Sequence, residues 1–97
     1  MIQEIMEVGS SIQNGRTIQD VAIKLAEESG EVMGVVSTIT GLSSYKKVGD
    51  MDLCDELADT LINIVDLGRL AYGVNFPELL KESVTRKCEK WKEKYSK

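Results

Sequence analysis

Two long segments of the sequence, residues 18–39 and 51–72, carry apolar side chains at the spacing of an α-helix. One side of the first segment is lined by Ile18, Val21, Ala22, Leu25, Ser29, Val32, Met33 and Val36. Steps of three and four residues keep side chains on one helix face, so both segments predict amphipathic helices. Thr17 is the predicted N-cap of the first helix, with Asp20 three residues later, and Gly41 is predicted to follow the end of that helix.

Two further helices are predicted on either side of this pair. Residues 2–13 have helical apolar spacing and are followed by the turn signal Asn14-Gly15. The last helix begins near Phe76, with Pro77 in its first turn, and runs to about residue 95. Residues 42–50 predict a loop. The 97 residues therefore predict one all-α domain, 1–97, folded as a four-helix bundle.

The third predicted helix is apolar around most of its circumference. Only Asp55, Asp66 and Arg69 are expected to be freely solvated. A helix that is apolar nearly all round is buried on more than one side, and a chain this short has a modest core. We therefore expect a second subunit to complete the bundle, in a homodimer or a homotetramer.

The composition excludes several kinds of chemistry. The sequence has no histidine and only two cysteines, Cys54 and Cys88, which rules out Ser-His and Cys-His nucleophiles and argues against zinc. We expect both to be reduced thiols in or near a core. The net charge of −4 argues against nucleic-acid and membrane partners. Without a signal peptide or a membrane-length apolar run, a cytoplasmic location is expected.

Two acidic pairs flank the apolar stripes of the long helices. Glu28 and Glu31 are three residues apart, as are Glu56 and Asp59, so each pair shares one side of its helix. Carboxylates that converge in a partly dry cleft repel one another unless a cation lies among them. Oxygen ligands alone favour Mg²⁺, with Mn²⁺ and Ca²⁺ as alternatives. The other interpretation is that these are ordinary glutamates of a solvated helix surface.

The sequence around these pairs resembles that of a known family. Residues 24–31 read Lys-Leu-Ala-Glu-Glu-Ser-Gly-Glu, and residues 56–59 read Glu-Leu-Ala-Asp. Together they resemble the Glu-Glu-x-x-Glu and Glu-x-x-Asp signature of the MazG-like all-α nucleotide pyrophosphohydrolases. The run Tyr-Gly-Val-Asn-Phe at 72–76, before a basic last helix, is similar as well. The resemblance implies a dimer or dimer of dimers that uses Mg²⁺ to cleave (deoxy)nucleoside triphosphates between the α- and β-phosphates. The products would be a monophosphate and pyrophosphate, and the role would be clearance of the nucleotide pool.

The same resemblance implies roles for individual residues. The metal ligands would be Glu28, Glu31, Glu56 and Asp59. The catalytic residues would be Glu27 and Glu28, with Glu27 either an outer-shell carboxylate or a residue that helps to position the attacking water. Substrate binding is expected, from charge or position, at Lys24, Asn63, Lys87, Lys90, Trp91 and Lys94.

Three features of this assignment stay open. Trp91 stands where the family commonly has asparagine, so it either stacks on a base or packs in a core or dimer interface. Arg86 and the loop residues Lys46 and Lys47 are further candidates for phosphate contacts. The rival functions are an inactive helical dimerisation module, and a relative of the dUTPase-like or phosphoribosyl-ATP pyrophosphohydrolases.

Overall fold

The computed structural model describes residues 1–12, 14–41 and 49–96, and the regular structure in these ranges is entirely helical. The helices are α1 (Ile2–Ser11), α2 (Ile18–Ile39), α3 (Asp52–Tyr72) and α4 (Phe76–Tyr95), with a 3₁₀ turn at Gly73–Asn75 before α4. The predicted all-α class is confirmed, and the predicted helix bounds hold to within two residues. Residues 42–48 of the predicted loop, Lys46 and Lys47 among them, lie outside the described residues.

The start of α2 is fixed by a reciprocal pair of hydrogen bonds. The Thr17 hydroxyl accepts a bond of 3.2 Å from the Asp20 backbone N–H, and the Asp20 carboxylate accepts one of 2.8 Å from the Thr17 N–H. This capping box satisfies two backbone donors that the first helical turn leaves unpaired. After α2, Gly41 adopts a φ of 78°, a left-handed conformation that glycine adopts without steric cost. Both ends of α2 therefore follow from local sequence.

The main core lies where α1, α3 and the beginning of α4 meet. Met6, Val65 and Phe76 are buried there, and partly buried neighbours pack around them. Gly68 of α3 faces the Phe76 ring so closely that a Cβ at this position would overlap it. A second contact between α2 and α3 buries Val35 completely. Helix α3 is thus the element against which the rest of the chain is organised.

Helix α4 leaves this core after its first turns. Leu80 still packs on the core, but the residues from 84 to 96 are all exposed. The radius of gyration is 16.0 Å, whereas a compact domain of this length has one of about 12–13 Å. The four-helix bundle and the second subunit therefore remain predictions, and the single chain presents an open arrangement of helices.

The two cysteines differ from expectation in one respect. Both are free thiols, but Cys54 and Cys88 are exposed in the single chain, so the prediction that they lie in or near its core is wrong. Among the described residues, no helix is both long and apolar enough to cross a membrane.

Candidate metal centre

Three carboxylates from two helices converge on the side of α3 that faces α2. Glu28 comes from α2, and Glu56 and Asp59 come from consecutive turns of α3. One carboxylate oxygen from each of the three lies within 4.8 Å of the other two. The Glu28 and Glu56 residues are half-buried, while Asp59 is exposed. Packing of α2 on α3 therefore brings together three of the four predicted metal ligands.

The spacing of these oxygens fits a hard divalent cation. Two oxygens bound at about 2.1 Å in an octahedron lie about 3–4 Å apart, and at the longer Ca²⁺ distances they lie somewhat further apart. Oxygens separated by up to 4.8 Å would have to approach one another by about 1–2 Å to reach the Mg²⁺ geometry. All three donors are carboxylate oxygens, the ligand type that selects Mg²⁺, Mn²⁺ or Ca²⁺ over zinc or copper. The donor set therefore fits the predicted ion.

Lys24 lies at the edge of this cluster. Its Nζ is 3.2 Å from Glu28 Oε1 and 3.7 Å from Glu27 Oε2. The hydrogen bond to Glu28 raises the pKa of Lys24, with the charges of Glu28 and Glu27 acting in the same direction. The ammonium group offsets part of the negative charge of the cluster. The structure thus places this predicted substrate-binding lysine beside a predicted ligand.

The two other glutamates of the α2 motif point towards solvent. The side chain of Glu27 is 62% exposed, as helical phase predicts for a residue on the polar side. Glu31 is exposed too, and it does not belong to the group formed by Glu28, Glu56 and Asp59. The predicted fourth ligand therefore lies outside the cluster in the single chain.

The remaining predicted substrate contacts are dispersed. Asn63 donates a hydrogen bond of 2.9 Å to the backbone carbonyl of Asp59, within its own helix. The Lys94 ammonium lies 5.4 Å from the centre of the Tyr95 ring. The α4 candidates Lys87, Lys90, Trp91 and Lys94 are exposed. Within the described part of the chain, they make no ion pair or side-chain hydrogen bond with the carboxylates of Glu28 or Asp59.

A buried ionic network was missed from the sequence. Asp66 is 8% exposed, and its carboxylate accepts hydrogen bonds of 2.8 and 3.0 Å from Arg16 and of 3.0 Å from Arg69 Nε. These bonds, chiefly those from Arg16, hold the pKa of Asp66 below its ordinary value of 3.8, against the opposing effect of burial. The prediction that Asp66 and Arg69 are freely solvated is therefore wrong.

The network also fixes the connection between α1 and α2. Arg16 donates hydrogen bonds to the backbone carbonyls of Gly9 at 2.9 Å and Ile12 at 3.0 Å. These are carbonyls at the end of α1, where intrahelical partners run out. One guanidinium group thus joins the end of α1 to the middle of α3. The sequence offered only one sign of this, the three-residue spacing of Asp66 and Arg69 beside the core residue Val65.

A cavity of about 510 Å³ opens between α1 and α3. Its walls are mostly apolar, with Val8, Ile12 and Ile62 among them, and Arg16 and Asp66 line it as well. Ile62 follows Asp59 by three residues on α3, which is an axial rise of about 4.5 Å. Among the described residues, the lining does not include Glu28, Glu56 or Asp59.

Comparisons of the chain with known protein families, with curated proteins and with solved structures give no match. The MazG-like resemblance of residues 24–31 and 56–59 accordingly remains a prediction from the sequence.

Proposed function

We propose that this protein is a Mg²⁺-dependent nucleoside triphosphate pyrophosphohydrolase of the MazG-like kind. It would convert a (deoxy)nucleoside triphosphate to the monophosphate and pyrophosphate, and clear surplus or non-canonical nucleotides. The observation that carries the proposal is the convergence of Glu28 with Glu56 and Asp59, whose oxygens lie within 4.8 Å of one another. We further place the enzyme in the cytoplasm, where two free thiols persist.

Each carboxylate near the cluster has a role in this proposal. Glu28, Glu56 and Asp59 would hold Mg²⁺, or Mn²⁺ in its place, and Glu31 would join them as the fourth ligand. The bound ion would screen the phosphate charge and lower the pKa of a water molecule. Glu27, with its exposed side chain, would orient the attacking water and accept its proton. The water oxygen would bond to the α-phosphorus. The bond between the α-phosphorus and the α–β bridging oxygen would break, and pyrophosphate would leave with that oxygen.

The basic residues would bind the rest of the triphosphate. Lys24 already lies 3.2 Å from Glu28, so its ammonium group would donate to a phosphate oxygen next to the metal. Lys87, Lys90 and Lys94 of α4 would meet the remaining charge, Asn63 would bond the substrate near Asp59, and Trp91 would contact the base. Because the α4 side chains are exposed in the single chain, this part of the proposal requires α4 to close on the site or to reach it from another subunit.

The nucleoside would occupy the cavity between α1 and α3. A cavity of about 510 Å³ falls within the range of sites for small molecules. Apolar walls at Val8, Ile12 and Ile62 suit the faces of a base, whereas the N–H groups of Arg16 are already bonded to Asp66, Asn14 and backbone carbonyls. Since Ile62 is one turn from Asp59 on α3, the phosphates would have to extend out of the cavity to meet the carboxylates.

The proposal is tested by pyrophosphate release from a panel of nucleotides. The panel contains the common ribo- and deoxynucleoside triphosphates, dUTP and phosphoribosyl-ATP, with either Mg²⁺ or a chelator present. We expect monophosphate and pyrophosphate in equal amounts from at least one triphosphate, and none with chelator. Selective turnover of dUTP or phosphoribosyl-ATP would assign the protein to a rival substrate class. If no nucleotide is turned over, the enzyme proposal fails and the inactive helical module takes its place.

A further inference from the structure

An ammonium group already lies against the carboxylate cluster in the free chain. Lys24 Nζ is 3.2 Å from Glu28 Oε1 and 3.7 Å from Glu27 Oε2. Glu28 follows Lys24 by four residues, about one turn along α2, so the helix itself brings the two side chains together. The Glu28 side chain is only 12% exposed, whereas that of Lys24 is 56% exposed. The lysine therefore reaches from solvent to a carboxylate that is largely shielded from water.

A divalent cation and this ammonium group require the same negative charge. A Mg²⁺ ion bound to Glu28 would lie about 2.1 Å from a carboxylate oxygen, and the lysine lies 3.2 Å from Oε1 of the same group. Two cations this close to one carboxylate repel one another. The low exposure of Glu28 limits the screening of that repulsion by water and salt. Lys24 is therefore expected to weaken the binding of metal to the free protein.

The position of Lys24 also allows it to leave the cluster. It lies between Glu28, which belongs to the cluster, and Glu27, whose side chain is 62% exposed. A lysine side chain is a flexible stem that carries a compact charge, so its ammonium group can move to a phosphate oxygen without disturbing α2. Its departure frees both carboxylates for the roles proposed for them. Lys24 then attracts the nucleotide instead of opposing the metal.

We propose that Lys24 is a built-in competitor of the metal, which keeps the affinity of the free site for Mg²⁺ low and releases Glu28 when a nucleoside triphosphate binds. Metal and triphosphate then bind cooperatively, and each raises the affinity of the protein for the other by the same factor. The inference rests on the proposed function, because it concerns the regulation of that same site. It adds that the site fills with metal together with its substrate.

The test measures Mg²⁺ binding to metal-free protein by titration calorimetry, without nucleotide. Lys24→Met keeps the apolar stem of the side chain but removes the charge. We expect it to lower the dissociation constant for Mg²⁺ about fivefold, a size suited to one partly exposed charge. Lys24→Arg keeps the charge and should stay within about twofold of wild type. Circular dichroism checks that the variants keep their helix content.

A matched control separates this effect from a change of net charge. Lys81→Met removes the charge of an exposed lysine on α4 and should leave the dissociation constant for Mg²⁺ within about twofold of wild type. If Lys81→Met tightens Mg²⁺ binding as much as Lys24→Met does, net charge accounts for the effect and the inference is wrong.

A second titration adds a saturating α,β-methylene triphosphate, which the enzyme cannot cleave. Comparison of wild type with Lys24→Met cancels the binding of Mg²⁺ to the analogue itself. With Lys24 drawn to the phosphates, the variant should bind Mg²⁺ no more tightly than wild type.

The outcomes distinguish this inference from the proposed function. Equal Mg²⁺ affinity of wild type and Lys24→Met without the analogue would overturn the inference. So would an advantage of the variant that persists with the analogue. Neither result bears on pyrophosphate release by the wild type. If neither protein binds Mg²⁺ at any concentration, the metal site of the proposed function fails, and the inference fails with it.

Discussion

Asp66→Asn is expected to lower the free energy of unfolding by about 2–3 kcal/mol. The substitution keeps the shape of the side chain but removes the charge that Arg16 and Arg69 surround. Both arginine side chains are only 17% exposed, so water has little access to replace the lost carboxylate as their hydrogen-bond partner. The end of α1 loosens as well, because Arg16 bonds the Gly9 and Ile12 carbonyls from the same position. Urea unfolding at pH 7 measures the difference.

The effect has a defined dependence on pH. Because the pKa of Asp66 is lower in the folded chain than its ordinary value of 3.8, ionisation of Asp66 favours the folded state. This contribution is fully present above the unfolded pKa and is lost as pH falls through the folded pKa. The difference between wild type and Asp66→Asn should therefore be constant from pH 7 to 5 and shrink below about pH 4.

Glu89→Gln is the matched control for this prediction. It removes a carboxylate charge from an exposed position on α4, where the described structure shows no ion pair, and such changes stay within about 0.5 kcal/mol. Equal stability of wild type and Asp66→Asn at pH 7 would show that the network contributes nothing. A difference that grows on acidification would contradict the assigned direction of the pKa.

Asp59→Asn is expected to reduce nucleotide turnover at least 100-fold, about 2.7 kcal/mol in the barrier. The amide keeps the size of the side chain but removes one of the carboxylate charges that would hold the metal. In the absence of divalent ions the same change should leave stability equal or slightly higher, since like charges near one another destabilise the fold. Steady-state pyrophosphate release and melting in chelator measure the two effects.

Two other substitutions provide a parallel test and a control for this prediction. Glu56→Gln should match Asp59→Asn, because both remove a carboxylate of the same cluster. Glu82→Gln, on the exposed side of α4, should leave turnover unchanged. If turnover survives in both cluster variants, the enzyme proposal would stand, but the assignment of the metal to this site would be wrong. Loss of turnover in Glu82→Gln as well would indicate a general effect of charge instead.

The sequence predicted the features that depend on neighbours along the chain. The ends of α2 follow from Thr17, Asp20 and Gly41, each acting within one turn. The meeting of Glu28 with Glu56 and Asp59 follows from helical phase, since carboxylates that border the apolar stripes of two packed helices come together. Glu31 shows the limit of that argument. It shares a helix side with Glu28 but lies outside the cluster.

Two features depend on contacts between residues far apart in the sequence, so the spacing of apolar residues could not predict them. The helical spacing of α3 predicts that Asp66 is solvated. Its partner Arg16 lies 50 residues away in an irregular segment. The path of α4 is set by the 3₁₀ turn at Gly73–Asn75 and by the seating of Phe76 against Gly68. Residues 84–96 of α4 and its end are exposed in the chain, which local spacing alone does not predict.

The central claim, that Glu28, Glu56 and Asp59 form a divalent-cation site, is tested most directly by melting metal-free protein with increasing Mg²⁺. At ten times the dissociation constant, binding adds about 1.4 kcal/mol, which raises the midpoint of a domain this size by several degrees. We predict that rise for the wild type and its loss in Asp59→Asn. An unchanged midpoint in the wild type, or an equal rise in both proteins, would contradict the claim.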